Sequence, residues 1–350
     1  MRTEEGRARP VGKVWAAVAA VLLVSAGSVH LWQNTNVLAE DRLCGGLVST
    51  EQADAVLPGL GRLAAEGDGV DADLTDTVCR IERSSFVPGA GGGLLTARVY
   101  AQRGDEILGS AGASDPLNTS FFSGPVTGGV DDHWGWALLP EECWTAKLPV
   151  YVRVFADERI SDRAAFAALT VDTARAVAAG AGCGDLPGKP GALVPPPSDA
   201  ARPATEGKAC GLDGFSVRGQ VPDGAKVLEE SRTAPADIWT CKLTLDDEPR
   251  AFERAEGFMT YTASRDPLLI AAVRKSPGVS GGTGPDGRKA DVVSVSEMIL
   301  PCAEGEPLYV SLQPHRQYLK ARETAGLPQP AAYAAPFVAA AVDAFDCPAP

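Results

Sequence analysis

The densest set of chemically capable residues in this chain is Asp131-Asp132-His133-Trp134-Gly135-Trp136, followed by Glu141, Glu142 and Trp144. Carboxylates beside a histidine and several tryptophans can frame a sugar or peptide groove, with one carboxyl group as acid and another as base. One reading therefore makes Asp132, His133, Glu141 and Glu142 the catalytic groups of a hydrolase. The favoured reading is plainer: a core strand carrying an edge tryptophan. A second cluster, Asp68, Asp71, Asp73 and Asp76, offers oxygen ligands of the kind Ca²⁺ takes, and Asp71, Asp73 and Asp76 are its candidate metal ligands. The cluster lacks the Gly and the Glu that an EF-hand loop needs, so a solvated acidic loop is favoured. No metal and no other cofactor is expected.

Two glycine patterns lie close together. Gly278-Val279-Ser280-Gly281-Gly282 has the spacing of a nucleophile elbow, and the run from Gly282 to Gly287 has that of a dinucleotide-binding turn. Both chemistries require a helix directly after the turn. Pro277 before the run and the glycines after it leave no room for one, so both are read as loop. The histidines are His30, His133 and His315, and none has a Cys or His at zinc-ligand spacing.

These residues must be positioned by a scaffold, and the cysteines show its plan. Cys44, Cys79, Cys143 and Cys183 are separated by steps of 35, 64 and 40; Cys210, Cys241, Cys302 and Cys347 by steps of 31, 61 and 45. Near-equal spacing implies two tandem copies. Cys-Gly opens each, Leu-Pro precedes each third cysteine, Tyr-Val follows it, and an Ala-rich stretch with Val-Asp closes on each fourth. Four cysteines allow three pairings per copy. The favoured scheme is first to second and third to fourth: Cys44–Cys79, Cys143–Cys183, Cys210–Cys241 and Cys302–Cys347.

The expected fold class is α+β: an N-terminal transmembrane helix, then two homologous disulfide-stapled domains, each an antiparallel sheet with packed helices. Copy one spans 40–183, with strands near Thr77–Phe86, Leu94–Gln102, Trp134–Leu139 and Val150–Phe155 and a helix over Arg163–Gly182. Copy two spans 210–350. Its strands are expected near Trp239–Leu245, Phe258–Ala263, Asp291–Ile299 and Leu308–Leu312, with helices over Pro267–Lys275 and Ala331–Phe345. The Pro-rich stretch 184–209 reads as an exposed, partly extended spacer.

From Val14 to Trp32 no Asp, Glu, Lys or Arg occurs, enough helix for a bilayer core. Arg2, Arg7, Arg9 and Lys13 precede it. The charge rule then makes 1–13 a cytoplasmic tail, 14–32 a membrane helix and the remainder extracytoplasmic. The competing reading is a signal peptide cleaved after Val37-Leu38-Ala39. The chain carries a net charge of −13, and the part beyond the anchor −15. This disfavours nucleic acid as a partner.

The N-terminal anchor, the Ala/Gly/Arg/Asp-rich composition and the Cys44-Gly45 and Cys210-Gly211 openings resemble membrane-anchored envelope proteins of high-GC Gram-positive bacteria, of the Streptomyces kind. The resemblance carries over no functional residue. Two function classes are expected: a non-enzymatic extracytoplasmic binding or interaction protein, with an envelope protein or wall component as partner, or a hydrolase acting through residues 131–144.

Overall fold

Alternation with period two dominates both copies. In the strand Val78–Ser84 the side chains of Cys79, Ile81 and Arg83 point inward while Val78, Arg80 and Glu82 point out. The computed structural model describes residues 11–36, 39–85, 92–108, 115–197, 200–246 and 257–350. Most of the tail before the first helix, and Val37-Leu38 of the cleavage motif, lie outside the described residues.

In chain order the elements of copy one are α1 (Val11–Asn34), β1 (Arg42–Leu43), β2 (Val48–Ser49), α2 (Thr50–Val56), β3 (Arg62–Glu66), β4 (Val78–Ser84), β5 (Leu94–Ala101), β6 (Ser120–Phe122), β7 (Gly128–Val130), β8 (Trp134–Leu138), β9 (Val150–Ala156) and α3 (Arg163–Ala181). Those of copy two are β10 (Arg202–Pro203), β11 (Val227–Ser231), β12 (Ile238–Leu245), β13 (Met259–Ser264), α4 (Pro267–Lys275), β14 (Ser280–Thr283), β15 (Lys289–Ser294), β16 (Glu297–Leu300), β17 (Leu308–Pro314), α5 (Arg316–Ala325) and α6 (Ala331–Ala344). Sheet one runs β3-β4-β5-β9-β8-β7-β6 and sheet two β10-β11-β12-β13-β17-β16-β15-β14, antiparallel throughout. Without the edge strand β10 the two orders coincide, β3 matching β11 and β6 matching β14. Both opening cysteines also share a rare backbone: Cys44 has φ 51° and Cys210 φ 60°, each followed by a left-handed glycine.

The four disulfides are Cys44–Cys79, Cys143–Cys183, Cys210–Cys241 and Cys302–Cys347, and no described cysteine is free. The loops they close contain 31 to 45 residues, worth about 4 kcal/mol each in the chain-entropy account. The second bridge of each copy ties the terminal helix to its sheet. That helix, α3 in copy one, starts at Asp162, whose carboxylate accepts from Ala165 N at 2.9 Å, and ends at Gly182 with φ 64°.

The inner face of sheet one packs on α2 and α3 through Ile81, Leu95, Val152, Val154, Phe166 and Leu169. That of sheet two packs on α5 and α6 through Trp239, Tyr261, Val310, Tyr318 and Phe337. The outer faces meet through α4. Its Leu269 and Ala272 join Ile107, Leu108, Trp136, Leu138 and Tyr151 of copy one in a third apolar cluster. Its Ile270 and Val273 lie against Ile299 and Tyr309 of sheet two. The order of layers is therefore helix, sheet, helix, sheet, helix.

Several expectations need correction. Asp291–Ile299 is not one strand but the hairpin β15–β16: Ser296 N bonds Ser294 Oγ at 3.3 Å, and Val295 stands exposed at the turn. Helix α5 has no counterpart among the sequence expectations, because only Gln317, Tyr318 and Ala321 of it are buried. The stretch 184–209 is extended but pinned rather than free. Val194 exchanges two backbone bonds with Phe121, at 3.1 and 2.7 Å, and Arg202–Pro203 joins sheet two. Among the described residues no helix is long and apolar enough to cross a membrane. The transmembrane span expected over 14–32 is thus not found among the described residues.

A buried carboxylate sits in the joint. Asp266, 1% exposed, caps α4 by accepting from Leu269 N at 2.7 Å, and the Thr127 hydroxyl of copy one lies 2.8 Å from each of its oxygens. Burial pushes its carboxyl above the ordinary range, against the hydrogen bonds from Leu269 and Thr127. A folded-state value above the unfolded one favours the folded protein below the unfolded value, and that contribution is lost as pH rises through the folded value. Asp266→Asn keeps the side-chain carbonyl that caps the helix. The difference in unfolding free energy between D266N and the parent should shift towards D266N from pH 4 to pH 7. Urea titrations at the two pH values measure it, and a constant difference refutes the assignment.

Candidate functional site

Gly135 explains why the Trp-Gly-Trp segment faces outward. A Cβ there would lie 2.3 Å from Thr170 Oγ1, so α3 packs directly on the β8 backbone. Gly135 and Ala137 take the inner face, and Trp134, Trp136 and Leu138 the outer one. Trp136 is buried under copy two, while Trp134 is half-exposed beside it.

The candidate acid–base residues do not assemble. Asp131 closes the β7–β8 turn: its Oδ1 accepts from His133 N and Trp134 N, both at 2.7 Å. Burial pushes its carboxyl up, against those two backbone donors. Asp132 pairs with Arg159 at 2.6 Å and Arg163 at 2.7 Å. Burial opposes its ionisation, but the ion pairs with Arg163 and Arg159 outweigh this and hold it below the usual carboxylate range. The ring Nδ1 of His133 lies 3.1 Å from Ala156 O. Glu141 and Glu142 stand exposed in a 3₁₀ turn beyond the other end of β8. The five residues of β8 separate the two groups by about 16 Å of extended chain, more than the roughly 5–10 Å across which glycosidase carboxylates cooperate. Trp144 Nε1 donates to Leu139 O at 2.9 Å, a structural bond.

In the acidic loop two of the carboxylates are tied into local turns. Asp73 Oδ1 accepts from Thr75 N at 3.1 Å and Thr75 Oγ1 at 2.8 Å, and the hydroxyl bond foremost lowers its carboxyl. Asp71 Oδ1 accepts from Asp73 N at 3.3 Å, and Asp76 is exposed. Among the described residues no group of three His, Cys, Asp or Glu side chains could hold a metal ion. Ser280 lies on the exposed edge strand β14, with α4 before it and the strand β15 rather than a helix next after it.

What the tertiary structure does assemble is an open groove on the outer face of sheet one, with a volume of about 590 Å³. Its floor comes from four adjacent strands. Val78 and Arg80 stand on β4, Thr96, Arg98 and Tyr100 on β5, Arg153 and Phe155 on β9, and Trp134 on β8; Glu66 is at the rim. Arg153 lies over the Trp134 ring at 3.8 Å and near Tyr100 at 5.9 Å, while Arg98 lies 5.5 Å from Tyr100. Trp134 and Phe155 face each other at 4.2 Å across β8 and β9.

The chain matches no protein-family model, no curated protein and no solved structure. The function must therefore be argued from the groove itself.

Sequence reasoning singled out Trp134 and missed the groove's other members. A signal was present. Arg98-Val99-Tyr100 and Arg153-Val154-Phe155 repeat an arginine and an aromatic residue two positions apart, on strands already expected. That spacing puts both side chains on one face. It acquires meaning only when β5 and β9 are known to be neighbours.

Proposed function

We propose that this chain is a non-enzymatic extracytoplasmic binding protein whose ligand surface is the open face of sheet one. The observation that carries this reading is the groove of Trp134, Tyr100, Phe155, Arg80, Arg98 and Arg153, held on a disulfide-stapled sheet, while the candidate acid–base groups stand apart. A rigid strand floor with aromatic and charged side chains is suited to holding a ligand in one orientation. Four disulfides support an oxidising compartment. The charge-free run Val14–Trp32, preceded by Arg2, Arg7, Arg9 and Lys13, supports an export signal that places the remainder outside the cytoplasm. An envelope protein or a wall component is the partner class. The two equal strand orders support an origin by duplication, with the groove kept in one copy.

The test uses envelope fractions from cells making the full chain. The protein should fractionate with the envelope or the medium rather than with the cytoplasm. Trp134→Ala should cut retention of envelope material on the purified protein about tenfold while leaving its unfolding temperature nearly unchanged. Equal retention by W134A and the parent would refute the binding surface, and recovery of the protein in the cytoplasm would refute the export.

A further inference from the structure

We infer that this groove binds a small organic anion carrying at least two carboxylate or phosphate groups, an inference that rests on the open face of sheet one being the ligand surface. Arg98 and Arg153 are direct cross-strand partners, and Arg80 stands on the next strand, β4. Like charges directly opposite in a sheet repel. No ion pair offsets this: among the described residues no carboxylate lies within 4.0 Å of any of the three guanidinium groups.

The chain is not short of carboxylates, with 45 acidic against 32 basic side chains. Elsewhere it uses them on arginine. Arg42 meets Asp172 at 2.8 Å, Arg274 meets Asp291 at 2.9 Å and Arg288 meets Asp286 at 2.5 Å. Three arginines without an ion pair therefore stand together in one groove of an acidic protein, two of them directly opposite each other. The rings of Trp134 and Tyr100 hold Arg153 by cation–π contact, which reduces the entropy lost when its planar fork meets an anion. Guanidinium groups match carboxylate and phosphate oxygens two at a time.

Adjacent strands stand about 5 Å apart, so the row from β4 to β9 spans about 10 Å. That length accepts two anionic groups rather than one. The volume of about 590 Å³ suits a small molecule. The net charge of −13 repels a long polyanion before it reaches the site. Glu66 at the rim, opposite Arg80 in register, further limits an anionic ligand on the β3 side.

Isothermal titration calorimetry at constant ionic strength tests the inference, with citrate, pyrophosphate and neutral chitotriose as probes and NaCl as the matched control. The full chain should bind citrate or pyrophosphate. Arg98→Gln and Arg153→Gln should each weaken that binding about tenfold or more. Without ligand, R98Q should unfold at the parent's temperature or above it, because one like-charge contact is relieved. A guanidinium kept for structural reasons would lower that temperature. Failure of both anions to bind beyond the NaCl control overturns the inference, as does unchanged anion binding in R98Q and R153Q. Chitotriose binding that W134A abolishes, with no anion binding, would overturn the anion class and leave the surface standing. Silence from all three probes, together with unchanged envelope retention in W134A, would remove both.

Discussion

Arg232→Leu is expected to destabilise this protein by about 3 kcal/mol, because it removes in one step the buried donor that serves several buried and partly buried carbonyls. Arg232 follows β11 in copy two, yet its guanidinium serves copy one and the connecting stretch. It donates to Pro195 O at 2.5 Å, Pro116 O at 2.8 Å, Val194 O at 3.4 Å and Thr119 O. Its plane lies 4.7 Å from the Phe121 ring, and its Nε donates to Thr240 Oγ1 at 3.1 Å. The residue is only 4% exposed. Burial brings its pKa down to about 10, which still leaves it charged at neutral pH. Leucine fills part of the volume but satisfies none of the carbonyls. Lysine restores the charge, but its single ammonium cannot reproduce the fork, so Arg232→Lys should recover only part of the loss. Urea denaturation of the three proteins measures this, and an R232L midpoint equal to the parent's would show that water serves the carbonyls equally well.

Gly104→Ala should separate the two copies without touching either core. Gly104 does not have positive φ, so its need is one of space. A Cβ there would lie 2.2 Å from both the carbonyl carbon and the oxygen of Ala272 and 2.4 Å from Val273 N, all backbone atoms of α4. Gly104 N also donates to Ser276 Oγ at 2.7 Å, and the neighbouring Arg103 donates to Pro277 O at 2.7 Å. Neither backbone can yield alone, so the added methyl must push α4 away from the 104–108 segment. The cost should be about 3 kcal/mol, the upper part of the range for overpacking. Its form is as informative as its size. With the joint opened, each copy keeps its own sheet, helices and disulfides, so one cooperative transition should become two. Gly281→Ala, where no atom lies within 4 Å of the added Cβ, is the matched control. Calorimetry and trypsin cleavage within 184–209 report the separation, and a single transition in G104A at the parent's temperature would refute it.

These two residues lay outside the reach of sequence reading for a common reason. Periodicity and cysteine spacing report what a segment does within its own copy. Arg232 and Gly104 act across copies, through carbonyls and a helix backbone whose positions no local pattern encodes. Within a copy the patterns held. The strands at β4, β5, β8 and β9 and the helices α3, α4 and α6 fell where alternation, caps and prolines put them. Strands β3, β6, β7 and β14 were illegible because they are short or built of Gly, Ala and Ser, which carry little strand propensity and little apolar signal. The hairpin at Val295 reads as one strand in the sequence because two serines, rather than Gly or Pro, make its turn. The candidate site divided in the same way. Trp134 was visible as an aromatic residue on a strand, but Arg98 and Arg153 looked like ordinary outward charges until their pairing set them side by side.

The sequence by itself determined the repeated cysteine spacing and the α+β composition of each copy, and the tertiary structure decided which of the three pairings per copy is made. Spacing along the chain and side-chain period are enough to impose the first two. Only the tertiary structure decided that Asp132 and His133 stand a strand's length from Glu141 and Glu142, and that three arginines share one aromatic groove. Which strands become neighbours is settled by burying the inner faces on the helices and the outer ones on α4, and that packing joins residues far apart in the chain.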